Sequence, residues 1–167
     1  MAGEHGLWYK NTFYEGGVGI PHIWSFPKAL PQSRTIAAPV MNMDVFPTLC
    51  DLCNLPKPAG LEGGSLMPLM KGQEEGSQRI AFSENYRNGI PARMIRTQRW
   101  KYCYFHKDRE QLFDLQNDPG EETNLAKEPQ HRDLVASLKA QALKGWHPDD
   151  YFKHKKAAKQ AGKQKVE

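Results

Sequence analysis

Four short apolar or aromatic stretches, followed by one long helical stripe, predict an α+β chain. Its second half is expected to be a small antiparallel sheet covered by a helix. The stretches fall at residues 80–84, 92–97, 100–105 and 111–114, each rich in branched or aromatic side chains. The second and third are close enough to form a hairpin turning at Gln98-Arg99. The helical pattern runs over residues 129–146, with Leu134, Val135, Leu138, Ala142 and Leu143 on one stripe and Gly145 at its end. This helix should lay its apolar face on the sheet.

The first half is less regular. Gly3-Glu4-His5-Gly6-Leu7-Trp8-Tyr9-Lys10 is the one stretch where several chemically active side chains crowd together. Its two glycines permit a tight turn around Glu4 and His5. Residues 27–39 read as loop, rich in proline and polar residues. Residues 43–52 read as a helix, with Asp44 as N-cap and Asn54 in the left-handed C-terminal position. Its expected core stripe is Val45, Leu49, Leu52 and Cys53. Loop follows over 55–64, then a helical turn over 66–70 ended by Gly72, and a polar linker over 73–78. Asp118-Pro119-Gly120 reads as a turn.

Composition excludes several function classes. The chain has 167 residues, enough to bury about two-thirds of its unfolded surface. No run of about 18 apolar residues is present, so no membrane-spanning helix is expected. The first five residues have neither the basic nor the apolar region of a signal peptide. The net charge is +4, but residues 151–167 hold six lysines against one glutamate. The remaining 150 residues therefore carry −1, which argues against a nucleic-acid partner. That tail is expected to be a basic, disordered end. Three cysteines, Cys50, Cys53 and Cys103, make no disulfide framework. Cys50-Asp51-Leu52-Cys53 has C-x-x-C spacing but lies near a helix end, where the dipole raises thiol pKa. Without a second pair it does not read as zinc, and packing thiols are expected.

Several motifs together resemble the sulfatase family of the alkaline-phosphatase-like superfamily. They are GEHGLWYK at 3–10, FYEG at 13–16 and V-x-IP-x-I at 18–23. DVFPTLCDL follows at 44–52, then GSLMPLMKG at 64–72. QLFDL at 111–115, Asp118-Pro119, Glu121 and Asn124-Leu125-Ala126 complete the series. In family order they span about residues 3 to 146. The resemblance implies that residues 1–72 are the end of the large sulfatase domain and residues 73–150 the small C-terminal subdomain. It also implies a strand of the large sheet over 19–26. One departure lies there: the family has Arg before the Val/Ile-Pro pair, and this chain has Gly19.

The family's nucleophile is a formylglycine made from the cysteine of Cys-x-Pro-Ser-Arg, and its calcium is held by an early Asp-Asp pair and a later Ser-Asp-His-Gly or Asp-Asn-Gly. None of these patterns occurs here. The chain is therefore expected to be the C-terminal portion of a sulfatase, inactive alone, with calcium and formylglycine only in the intact enzyme. The resemblance further implies a sulfate-ester small molecule or sulfated saccharide as substrate, and a periplasmic or secreted location. Two alternatives stand beside it: a non-catalytic interaction module, and a phosphatase or phosphonate monoester hydrolase of the same superfamily.

Two residues carry the catalytic expectation. Lys10 is read as a ligand to a sulfate oxygen, stabilising charge on the ester and its leaving alkoxide. Its bland reading is a solvated surface lysine. His5 is read as a group at the substrate end of the pocket, against a loop histidine bonded to backbone. Glu4 is read as structural. His22, His106 and His131 have no metal-ligand spacing. Glu84 and Arg93, and the aromatic run Tyr102, Tyr104 and Phe105, are read as structural rather than as ligand contacts.

Overall fold

The computed structural model describes residues 1–73, 76, 78–87 and 89–152, except for the side chain of Arg87. The expected tail lies outside these residues from 153 onward, as do residues 74, 75 and 77 of the expected linker. All four expected strands form: β1 (Ala81–Arg87), β2 (Ile90–Arg96), β3 (Trp100–Phe105) and β4 (Gln111–Asp114). They make one antiparallel meander in the order β1-β2-β3-β4. The register pairs Met94 with Cys103 and Tyr102 with Leu112, so both faces of the sheet are set along its width.

Alternation then sorts the side chains. One face presents Ile95, Tyr102 and Leu112, which pack with Leu138 and Ala142 of α4 (Arg132–Leu143). The helix stripe therefore lands where its spacing predicts. Each of these large side chains is essentially out of water, a gain of roughly 1.5–3 kcal/mol apiece. Tyr102 and Tyr104 belong to this packing, Tyr104 meeting Trp146 edge-on at 6.0 Å. Arg93 lies over Phe82 and Trp146, donates to the Ala142 carbonyl at 2.9 Å, and pairs with Glu84 at 3.3 Å.

The opposite face presents Ala92, Met94 and Cys103, and Phe13 of the N-terminal segment covers them. Burial pushes the Cys103 thiol pKa up, in keeping with a packing thiol rather than a reactive one. Cys50 is also buried, whereas Cys53 is exposed.

A third cluster joins Leu30 to Leu66, Leu69 and Met70, the last two from α3 (Met67–Met70). It holds loop 55–66 against α2 (Val45–Leu52). A 3₁₀ turn, Asn42–Asp44, precedes α2, so Asp44 caps that turn by accepting the Met41 N–H at 2.9 Å. Asn54 takes the left-handed conformation (φ 53) as read from the sequence.

Two expectations are corrected. Of the expected α2 stripe, Leu52 packs on the third cluster and Val45 is half-buried, but Leu49 and Cys53 are exposed. Pro47, Thr48 and Cys50 are buried, while Phe46 and Leu49 are exposed. The buried polar pair turns the helix. Thr48 Oγ1 donates to the Asp44 carbonyl and accepts from the Leu66 N–H at 2.8 Å, and Asp44 Oδ1 accepts from Gly64 N–H at 2.9 Å. Residues 19–26 form no strand, and Ile20 and Ile23 are exposed. A strand needs a hydrogen-bonded neighbour, and no described segment pairs with this one.

Candidate functional site

The N-terminal loop is built on tight backbone. Gly6 N–H donates to Gly3 O at 2.9 Å and Leu7 N–H to Glu4 O at 3.0 Å, closing the 3₁₀ turn Glu4–Gly6. Gly3 (φ 121) and Gly6 (φ 67) occupy conformations that suit glycine. His5 (φ 53) and Tyr9 (φ 74) share the left-handed region without that freedom, a strain that collects at functional segments. The Ala2 N–H donates to Glu4 at 2.6 Å and holds that carboxyl below its usual pKa, the structural role read for Glu4.

Lys10 follows this loop and lines a cleft of about 720 Å³. The cleft lies between the N-terminal segment, residues 37–43 and the edge of the sheet. Besides Lys10, its polar side chains are Asn11, Thr12, His22, Asn42, Ser83, Asn85 and Arg96, with two carboxylates, Glu15 and Glu84. Asn85 donates to Asn11 at 2.7 Å, bridging β1 to the loop next to Lys10. Arg96 is engaged with Glu15, Nε to Oε1 at 3.4 Å. Lys10 is exposed and makes no ion pair with any described residue.

His5 is placed elsewhere. Its ring stacks flat on Tyr14, with centroids 3.8 Å apart and an interplanar angle of 5°, and it does not line the cleft. Lys10 and His5 thus share one loop, but of the two only Lys10 lines the cavity. The cleft residues missed by sequence reasoning are Asn85, Ser83 and Arg96. Their signal is the two-residue period of β1 and β2, which puts 83, 85, 94 and 96 on the face opposite α4.

Gly19, where the resembled family carries arginine, is dictated by close packing. A Cβ at this position would meet the Glu15 carbonyl oxygen at 2.7 Å. The turn at α1 (Glu15–Val18) has folded back too tightly for a side chain there.

No group of three His, Cys, Asp or Glu able to hold a metal exists among the described residues.

Comparison with known proteins identifies the family. The family model described as N-sulphoglucosamine sulphohydrolase, C-terminal, matches residues 3–146. The choline-sulfatase of Rhizobium meliloti is 38% identical over 77% of this chain and 25% of its own length. The Delta 4,5-hexuronate-2-O-sulfatase of Bacteroides thetaiotaomicron is 30% identical over 84% of this chain and 31% of its own length. A solved structure of a protein in complex with its substrate D-glucosamine-2-N,6-O-disulfate superposes with a TM-score of 0.79. It is 26% identical, covering 89% of this chain and 33% of the other. The chain thus spans about a quarter to a third of the proteins it matches. Its motifs, sheet and helix order and matched length together place it in one family: the chain belongs to the N-sulphoglucosamine sulphohydrolase C-terminal family, the C-terminal portion of sulfatases.

Proposed function

We propose that this chain forms one wall of a sulfatase active site, where Lys10 binds the sulfate group of a sulfated saccharide and stabilises the charge that develops during ester hydrolysis. The carrying observation is the contrast between the cleft's two strongest cations. Arg96 is neutralised by Glu15, while Lys10 lines the cavity, exposed and with no carboxylate partner among the described residues. A sulfate ester carries fixed negative charge, and the departing alkoxide adds more. An ammonium on that side stabilises both. The saccharide class is favoured by Asn11, Asn42, Ser83 and Asn85, whose amide and hydroxyl groups suit sugar hydroxyls. It is also favoured by the glucosamine disulfate bound in the structural relative.

Attack on sulfur is not assigned to this chain. None of its three cysteines stands in Cys-x-Pro-Ser-Arg. Formylglycine and calcium would come from outside these 167 residues, and no step is drawn through them. The purified chain should release no sulfate from an aryl sulfate or from D-glucosamine-2-N,6-O-disulfate above background. Sulfate release that disappears in Lys10→Ala would overturn this reading and require a nucleophile within the chain.

A further inference from the structure

The side chain of Lys101 is completely buried on β3. Its Nζ donates to Glu121 Oε1 at 2.7 Å, to Glu15 Oε1 at 2.6 Å and to the Phe13 carbonyl at 2.9 Å. The second Glu121 oxygen accepts the Glu15 N–H at 2.6 Å. Glu121 is itself buried and sits at φ 57, just past the Asp118 turn. Two cations, Lys101 and Arg96, face two anions, Glu15 and Glu121, so the cluster balances its own charge.

The Lys101–Glu121 pair joins the sheet to the 118–121 turn, and the other bonds of the cluster reach from these two to residues 13–15. Those residues begin three positions after Lys10. Phe13 is fixed by its ring on Ala92, Met94 and Cys103 and by its carbonyl on Lys101. Glu15 is fixed at backbone and side chain together. The apolar contact alone would leave the segment free to pivot about the Phe13 ring. The polar contacts set its direction, and with it the wall from which Lys10 projects.

We propose that Lys101 and Glu121 are positioning residues, a buried latch that fixes residues 13–18 on the sheet and so aims Lys10 into the cleft. This rests on the reading of Lys10 given above, but one arm of its test does not. The variants are Glu121→Gln, which keeps shape and turns one acceptor into a donor facing Lys101 or the Glu15 N–H, and Lys101→Met. The control is Leu134→Ala, which loosens the α4 side of the sheet and leaves the latch untouched. Amide exchange of the full chain is followed residue by residue, together with the shift of the Lys10 side-chain resonance on titration with inorganic sulfate.

In both latch variants, exchange at residues 15–19 should rise about tenfold or more relative to β2 and β3, and the Lys10 response to sulfate should weaken. Leu134→Ala should speed exchange in the sheet and helix and leave the Lys10 response intact. The latch is overturned if exchange at 15–19 is unchanged in Glu121→Gln, or rises only in step with the strands. If the exchange pattern holds but wild-type Lys10 ignores sulfate, the latch stands and the anion-binding reading falls.

Discussion

Arg99 grips Asp114 with two parallel bonds, Nε to Oδ1 at 3.0 Å and Nη2 to Oδ2 at 2.7 Å, tying the β2–β3 turn to the end of β4. The same carboxylate accepts from Asn117 and from the Gln116 N–H. This is a geometry in which a bidentate guanidinium contributes more than an ordinary surface pair. The Arg99 guanidinium first, with Asn117 assisting, holds the Asp114 carboxyl at a pKa of about 2, against an ordinary value of 3.8.

The sign of the pH effect follows. The folded pKa is depressed, so the contribution to stability is complete above about pH 4 and is lost as pH falls through about 2. Melting temperature measured between pH 5 and pH 2 should fall less steeply in Asp114→Asn than in the wild type. Equal slopes would mean that Asp114 does not carry this linkage.

Thr48→Val should destabilise the fold by about 1–3 kcal/mol in urea unfolding. The substitution keeps the volume but leaves the buried Leu66 N–H without its acceptor. A neutral result would show that loop 61–66 is held by the Leu66 side chain and the Gly64–Asp44 bond without Thr48.

Gly19→Arg restores the residue type of the resembled family, and it should destabilise this chain by at least ~1 kcal/mol. Its Cβ would press on the Glu15 carbonyl oxygen at 2.7 Å, a backbone atom that cannot rotate away. Thermal unfolding of the variant checks it. An unchanged melting temperature would mean that α1 opens without cost.

The strands and α4 were legible in the sequence because each has a strong period and local turn chemistry. Gly145 and Asn54 marked helix ends for the same local reason. The failures are tertiary. Residues 19–26 are apolar enough for a strand, but a strand is a pairwise object and no described partner exists. Leu49 reads as core, yet Thr48 and Asp44 turn it outward through bonds to Leu66 and Gly64. The burial of Lys101 has no local signal in the sequence. Its partners lie 20 residues downstream and 88 residues upstream, beyond any local pattern. At the site, the loop holding Lys10 was legible from its motif. The cleft wall of Ser83, Asn85 and Arg96 was not, because it depends on which sheet face α4 leaves open.

Hydrogen exchange should divide the chain accordingly. Slow amides should concentrate in β2, β3 and α4, and residues 20–40, with few backbone hydrogen bonds, should exchange fast. Protection of residues 20–26 equal to that of β2 would reveal strand pairing that the fold described here does not contain.

The most direct measurement is a titration of the chain with D-glucosamine-2-N,6-O-disulfate, read at each lysine side chain by nuclear magnetic resonance. Six lysines lie within residues 151–167 and will respond weakly to any anion, so they serve as an internal reference. Lys10 should shift saturably at concentrations where those lysines do not, Asn85 should shift with it, and Lys10→Met should abolish the Asn85 response. Uniform shifts across all lysines, or an Asn85 response that survives Lys10→Met, would contradict Lys10 as the sulfate-binding group.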